Sequence, residues 1–335
     1  MRKVMVWLLL LAGLLATITS PVAADSTVAA PPAQGGANGG DRPPVFATYA
    51  RVERSTYAYS APNGEPRQAL DGNQSWWISV RGQQVVNGET WYRTAENLWV
   101  RASDVRVLGP ARFRGAYWNG LYDDGAMPDR FGFVTNYDTH VHGAPDPDAN
   151  DLDYYQKYTW VPLNDMQNGW WNMGDNAWVS SNFVRPMRYQ ARPAGVGPGQ
   201  KWIDVDLTQQ TVAAYEGDRM VFATLMSSGK RTTPTVTGLF AVHSKYVSHT
   251  MKGMSETGTY YLEEVPWSMY FHQAYALHGA YWHDGFGWIR SAGCVNLSPV
   301  DAKWLFGWAG PIVPPGANSV FASPANPGTW VWVHY

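Results

Sequence analysis

Along most of the chain, apolar and polar positions alternate over short stretches, the period of strands buried on one face. Residues 201–207 (KWIDVDL) alternate, turn through Thr208-Gln209-Gln210 and resume as TVAAYE; Glu216-Gly217-Asp218 then turns into RMVFATLM. This predicts three strands joined by tight hairpins. Ser227-Ser228-Gly229 and Thr233-Pro234-Thr235 break the pattern, and residues 238–242 (GLFAV) predict a fourth strand. One stretch departs from the strand period. Ser298 fits an N-cap, Pro299 the first helical position and Asp301 the third, so a short helix should run to about Trp308.

Upstream, the alternation repeats. NGETWYRTAENLWVRASDVR at 87–106 returns as NGWWNMGDNAWVSSNFVR at 168–185, and Ala61-Pro62-Asn63 returns as Ala144-Pro145-Asp146, the copies lying about 80 residues apart. Aromatic runs broken by Asn-Gly, Glu-Asn and Asp-Asn turns predict two small antiparallel barrels of about five strands each. On the Trp91/Trp99 and Trp171/Trp178 spacings and the shared Trp-Val and Val-Arg ending, they resemble the bacterial Src-homology-3-like modules found beside cell-wall enzymes. That resemblance implies wall binding or placement of a catalytic domain; the plainer reading is that these tryptophans fill small cores.

The ends of these blocks divide the chain. Residues 1–24 read as a signal peptide: Arg2 and Lys3, an apolar stretch over 4–18, then Val22-Ala23-Ala24. The stretch 25–44 is a flexible Pro- and Gly-rich linker, 45–110 a first module, 111–130 a connector, 131–188 a second module, 189–200 a linker and 201–335 a third domain. The leader implies an exported protein, secreted or associated with the cell wall, and without stable membrane insertion after cleavage. A net charge of -2 with no run of Lys or Arg argues against nucleic acid. Eighteen Trp and 19 Tyr suit small barrels and sugar- or peptide-facing surfaces.

Chemistry concentrates around Cys294, the one cysteine of the chain, in Ser291-Ala292-Gly293-Cys294-Val295-Asn296, sixteen positions after His278. A lone thiol in an export context is a candidate nucleophile; the alternative is a buried, inert side chain. An acyl-transfer cysteine needs a base to make thiolate. His278 fits that role, with Gly279 supplying a backbone carbonyl to orient the imidazole. The N–H groups of Ala292, Gly293 and Cys294 offer an oxyanion site, and the dipole of the following helix would lower the thiol pKa if suitably oriented. His272, His278 and His283 lack ligand spacing, so no metal and no cofactor is expected.

Taken in order, Ile203, Val205, Leu207 and Gln210, then Tyr215 and Gly217, Ser227-x-Gly229, Thr233-Pro234 with Gly238 and Phe240, His278-Gly279 and Ser291-x-Gly293-Cys294 resemble the L,D-transpeptidase catalytic domain of bacterial cell walls. The expected fold is mainly β: two Src-homology-3-like barrels, then a β-sandwich-like catalytic domain with a short helix after the nucleophile. The resemblance implies attack by Cys294 on the third-residue carbonyl of a peptidoglycan tetrapeptide stem, loss of D-alanine, and transfer of the acyl group from a thioester to an amine, giving a 3-3 cross-link. The alternatives are an L,D-carboxypeptidase and a wall-binding protein with a degenerate catalytic domain. The partner is the peptidoglycan stem peptide, and the chain is expected to be monomeric. Residues 257–271 take the place of the family's substrate lid, with Tyr260, Tyr261, Trp267 and Tyr270 as candidate walls. Ser291, Asn296 and Arg290 are further substrate-binding candidates, Arg290 as a clamp for the stem carboxylate. Glu263 or Glu264 is read as solvent-facing, or else as a contact for the diamino acid. The family usually has histidine where this chain has Ala292.

Overall fold

The computed structural model describes residues 48–118, 130–256 and 258–335. The expected signal peptide, the 25–44 linker, residues 119–129 of the connector and Thr257 lie outside them. The protein is mainly β, with one α-helix among the described residues, α1 (Pro299–Trp308).

The repeated sequence folds twice into the same arrangement. In the first copy Thr48–Val52 lies between Ser75–Val80 and Val105–Leu108, beside a five-stranded sheet whose central strand is Trp99–Arg101. In the second, Phe131–Val134 lies between Trp160–Pro162 and Val184–Met187, beside a five-stranded sheet whose central strand is Trp178–Ser180. In each, a 3₁₀ turn, Ala102–Asp104 or Ser181–Phe183, leads into the last strand. Asn87-Gly88 and Asn168-Gly169 close the equivalent hairpins, all four residues at positive φ, which Asn and Gly tolerate best. Trp91 faces Arg101, and Trp170 faces Ser180. The tryptophan equivalent to Trp91 is therefore Trp170 and not Trp171, because the second hairpin is shorter by two residues before its aromatic. Trp91 is fully buried, with the Arg101 guanidinium 5.1 Å from its ring centroid.

The C-terminal part is a sandwich of two sheets. One runs Gly238–Ala241, Trp330–His334, Lys201–Asp206, Thr211–Glu216, Arg219–Leu225. The other carries Val295–Leu297, Tyr275–Gly279 and the long hairpin Ser244–Ser255/Gly258–His272. Ile203, Val205, Val212 and Phe222 from the first sheet meet Met269, Leu277, Val295 and Leu297 from the second, with Leu305 and Phe306 of α1 completing the core. Ser298 caps α1 by accepting the Asp301 N–H at 3.2 Å, with Pro299 opening the helix, as the sequence predicts.

Two segments read as separators belong to this sandwich. In the connector, Ala116–Tyr117 pairs with Phe222 and Ala223 as an added edge strand, and the buried Asp301 carboxylate accepts from Gly115 N–H, Tyr117 Oη and Thr224 Oγ1. In the 189–200 stretch, Val196 is buried in a core with Trp202 and Tyr215. The sandwich also continues into the first copy: Ser75, Trp76 and Trp77 pair in parallel with Tyr260, Tyr261 and Leu262. That junction explains Glu263 and Glu264, and neither expectation for them holds. Both are buried. Glu263 accepts from Ser79 N–H (3.0 Å), Ser79 Oγ and Ala95 N–H (3.2 Å), while Glu264 pairs with Arg81.

Candidate active site

The His278 strand Tyr275–Gly279 lies parallel to Val295–Leu297, with Leu277 opposite Val295, His278 opposite Asn296 and Gly279 opposite Leu297. Continuing that register sets Cys294 opposite Ala276, so thiol and imidazole issue from neighbouring strands, two positions apart along the pleat, where alternate residues share a face. Gly279 lets the end of the His278 strand pass close to Pro266 and Pro299. A Cβ there would lie 3.0 Å from Pro266 and 3.1 Å from Pro299 Cα.

Both reactive groups are neutral at rest. His278 is 2% exposed, and burial pushes its pKa down to about 4, against the Gly279 carbonyl, which lies 3.4 Å from Nδ1. That contact favours the proton on Nδ1 and leaves Nε2 as the basic nitrogen. Burial pushes the Cys294 thiol up to about 11, partly opposed by the Ala276 N–H. The first turn of α1 is taken up by Ser298 and Asp301. The thiol donates to the Ala274 carbonyl at 3.6 Å, a length usual for a sulfur donor.

Of the lid candidates, Tyr260 and Tyr270 come near the thiol: for both, burial is the main cause of a raised phenol pKa and a Cys294 thiolate the next. Tyr270 Oη also meets His249 Nε2 at 2.9 Å. Tyr261 turns away to Trp76 and Glu96 of the first copy. Trp267 is not a wall. It packs edge-on to Phe306 of α1, at 5.3 Å, on the core side of the hairpin.

The other substrate-binding candidates differ in their surroundings. Ser291 is buried; its hydroxyl accepts the Gly293 N–H at 3.0 Å and donates to the Cys294 carbonyl. Gly293 N–H is therefore occupied in this state, contrary to its expected freedom as an oxyanion donor, whereas Ala292 is exposed. Asn296 is 3% exposed, with its side-chain amide 3.0 Å from His283 Nε2. Because Gly285 N–H donates to His283 Nδ1, the Nε2 carries the proton, and Asn296 presents its oxygen. Arg290 is exposed but folded over Gly285, where a Cβ would strike its Nε at 2.0 Å.

Sequence reasoning missed three contributors: His283, Thr235 and His249. His283 is pushed down to about 3, mainly by burial and then by Arg290. Thr235 lies in the T-P loop, whose motif was visible but whose contact with Gly293 was not.

Residues 200–333 match the YkuD family, the L,D-transpeptidase catalytic domain. The comparison with curated proteins returned no match. Among solved structures, a cysteine-to-serine mutant of the Enterococcus faecium L,D-transpeptidase is 28% identical, covering 40% of this chain and 50% of that one at a TM-score of 0.32. The L,D-transpeptidase from Stackebrandtia nassauensis is 27% identical over 40-odd per cent of this chain, 44%, and 59% of its own, at 0.30. An NMR structure of the E. faecium catalytic domain acylated by ertapenem is 28% identical over 42% of this chain and 100% of its own, at 0.32. The match thus spans about half the length of the first of these proteins, 50%. The matched residues include α1, Cys294, His278 and the sandwich strands from Lys201 onward as far as residue 333.

Proposed function

We propose that the chain is an exported peptidoglycan L,D-transpeptidase acting through Cys294. The observation that carries this reading is the parallel register of Tyr275–Gly279 with Val295–Leu297, which brings the turn that bears Cys294 alongside the His278 strand, inside the matched residues. His278 Nε2 takes the thiol proton as Sγ attacks the third-residue carbonyl of a tetrapeptide stem. Collapse of the tetrahedral intermediate breaks the bond to D-alanine, whose amine takes the proton back from the imidazolium, leaving a thioester. An amine from a second stem attacks that thioester and gives its proton to His278. Cys294 leaves as the free thiol, and a 3-3 cross-link remains. Because both groups are neutral at rest, the thiolate forms in step with attack. Tyr260 and Tyr270 flank the acyl group. The two repeated copies are Src-homology-3-like modules that hold the catalytic domain at the wall, the first by seating the hairpin that carries both tyrosines.

Incubation with tetrapeptide muropeptides should give cross-linked dimers and free D-alanine, and Cys294→Ala should abolish both. Tripeptides alone would mean a carboxypeptidase; product from Cys294→Ala would remove the nucleophile assignment. Detection of the chain in the cytoplasmic fraction alone would refute export.

A further inference from the structure

The loop through Ser227-Ser228-Gly229 and Thr233-Pro234-Thr235 packs directly on the nucleophile turn. A Cβ on Gly229 would lie 2.2 Å from the Thr233 carbonyl and 2.9 Å from Gly293 Cα, so the two backbones touch with no room for a side chain. Thr235, 4% exposed, stands at this contact. Its Oγ1 accepts the Gly229 N–H at 2.8 Å and lies 2.8 Å from the Gly293 carbonyl. A hydroxyl has one proton, and here it goes to that carbonyl.

Ser291 fixes the other side of the turn, accepting from Gly293 N–H and donating to the Cys294 carbonyl. Three of the four backbone polar groups of Gly293 and Cys294 are thereby pinned by two buried hydroxyls. The fourth, the Cys294 N–H, has no acceptor among the described residues. The Gly293–Cys294 peptide is trans, so its C=O and N–H point in opposite directions in one plane. Holding the carbonyl toward buried Thr235 turns the N–H away from the core, on the residue that bears the thiol. Gly293 has φ +126°, a conformation that gives the peptide no preference of its own for this orientation.

We propose that Thr235 is a positioning residue for acyl transfer: by holding the Gly293 carbonyl, it aims the Cys294 N–H at the oxyanion, making this N–H rather than that of Gly293 the donor the turn supplies. The proposal rests on the acyl-transfer reading of Cys294.

The test compares two reactions of the same thiol in the full chain. Ertapenem acylates through a tetrahedral oxyanion; iodoacetamide alkylates by displacing iodide and forms none. In Thr235→Val, which removes the hydroxyl and keeps the shape, the acylation rate at saturating ertapenem should fall about 10- to 100-fold, the range for a lost or misaimed oxyanion donor. The half-saturating concentration and the iodoacetamide rate should stay within about twofold, and Thr235→Ser should recover most of the acylation rate. Thr235→Ala is run alongside and should show the same split if valine is not accommodated. Acylation and alkylation falling together would mean a general disturbance of the cysteine and overturn the proposal, as would wild-type acylation by Thr235→Val. A wild-type chain that is alkylated but never acylated overturns the acyl-transfer reading itself.

Discussion

Glu263 offers a test of how the first copy is joined to the catalytic hairpin. Its carboxylate is 2% exposed and accepts three hydrogen bonds from the first copy, yet burial still pushes its pKa from 4.5 to about 7, with Glu96 adding to the rise. A carboxyl whose folded pKa lies above its unfolded value contributes stability that is fully present below the unfolded pKa. That contribution is lost as pH rises through the folded pKa. The shift of about 2.5 units corresponds to about 3 kcal/mol, accumulating between pH 4.5 and about 7. Glu263→Gln keeps an acceptor oxygen for Ser79 and Ala95 and carries no charge. At pH 8 it should therefore be more stable than the parent by roughly 1–3 kcal/mol, and at pH 4.5 the two should differ little. Urea unfolding of both chains at the two pH values measures this, because other titrating groups cancel in the difference. An equal difference at pH 4.5 and pH 8 would show that Glu263 does not titrate in this window, and the account of the junction as a desolvated carboxylate would fail.

The thiol pKa gives a second prediction. Thiolate ultraviolet absorbance, absent from Cys294→Ala, should grow in only as pH climbs toward about 11; a titration complete below pH 8 would contradict the neutral pair. Lys245 gives a third. It is 1% exposed, its ammonium donates to the Phe306 and Ala309 carbonyls at the end of α1, and burial pushes its pKa down to about 7. A lysine lowered in this way costs most stability below pH 7, and the cost is relieved as pH rises toward 10.5. Lys245→Met strands two buried carbonyls and should lose about 1–3 kcal/mol in urea unfolding at pH 9, with a smaller loss at pH 6. A loss that shrinks between pH 6 and pH 9 would reverse the assigned sign.

What could be read from the sequence was local. The hairpins closed by Asn87-Gly88 and Asn168-Gly169, the strands of 201–225 and the Ser298-Pro299 start of α1 each follow from residues within a few positions of one another. The Cys294 and His278 strands were also legible, because a motif marks each. What failed was the fate of polar side chains whose partners are distant in sequence. Glu263 looked solvent-facing because nothing near it shows that Ser79, 184 residues earlier, will supply donors. Nor does the sequence around Ser291 and Asn296 show that the Ser291 hydroxyl closes the nucleophile turn or that the Asn296 side chain meets His283. Trp267 lies in an aromatic run where the strand period assigns one face. At φ +58° the backbone departs from the pleat, and the side chain meets α1 instead.

The parallel pairing of Ser75–Trp77 with Tyr260–Leu262 also bears on how the chain reaches this structure. The paired segments lie 185 residues apart, so loop-closure entropy opposes the contact until most of the chain is available. A ribosome releases the first copy long before its partner strand, leaving the row of backbone donors and acceptors on Ser75–Val80 open to any other extended segment. Refolding yield should therefore fall with concentration, and a short peptide copying residues 258–264 should compete for that edge during refolding while leaving the finished protein untouched.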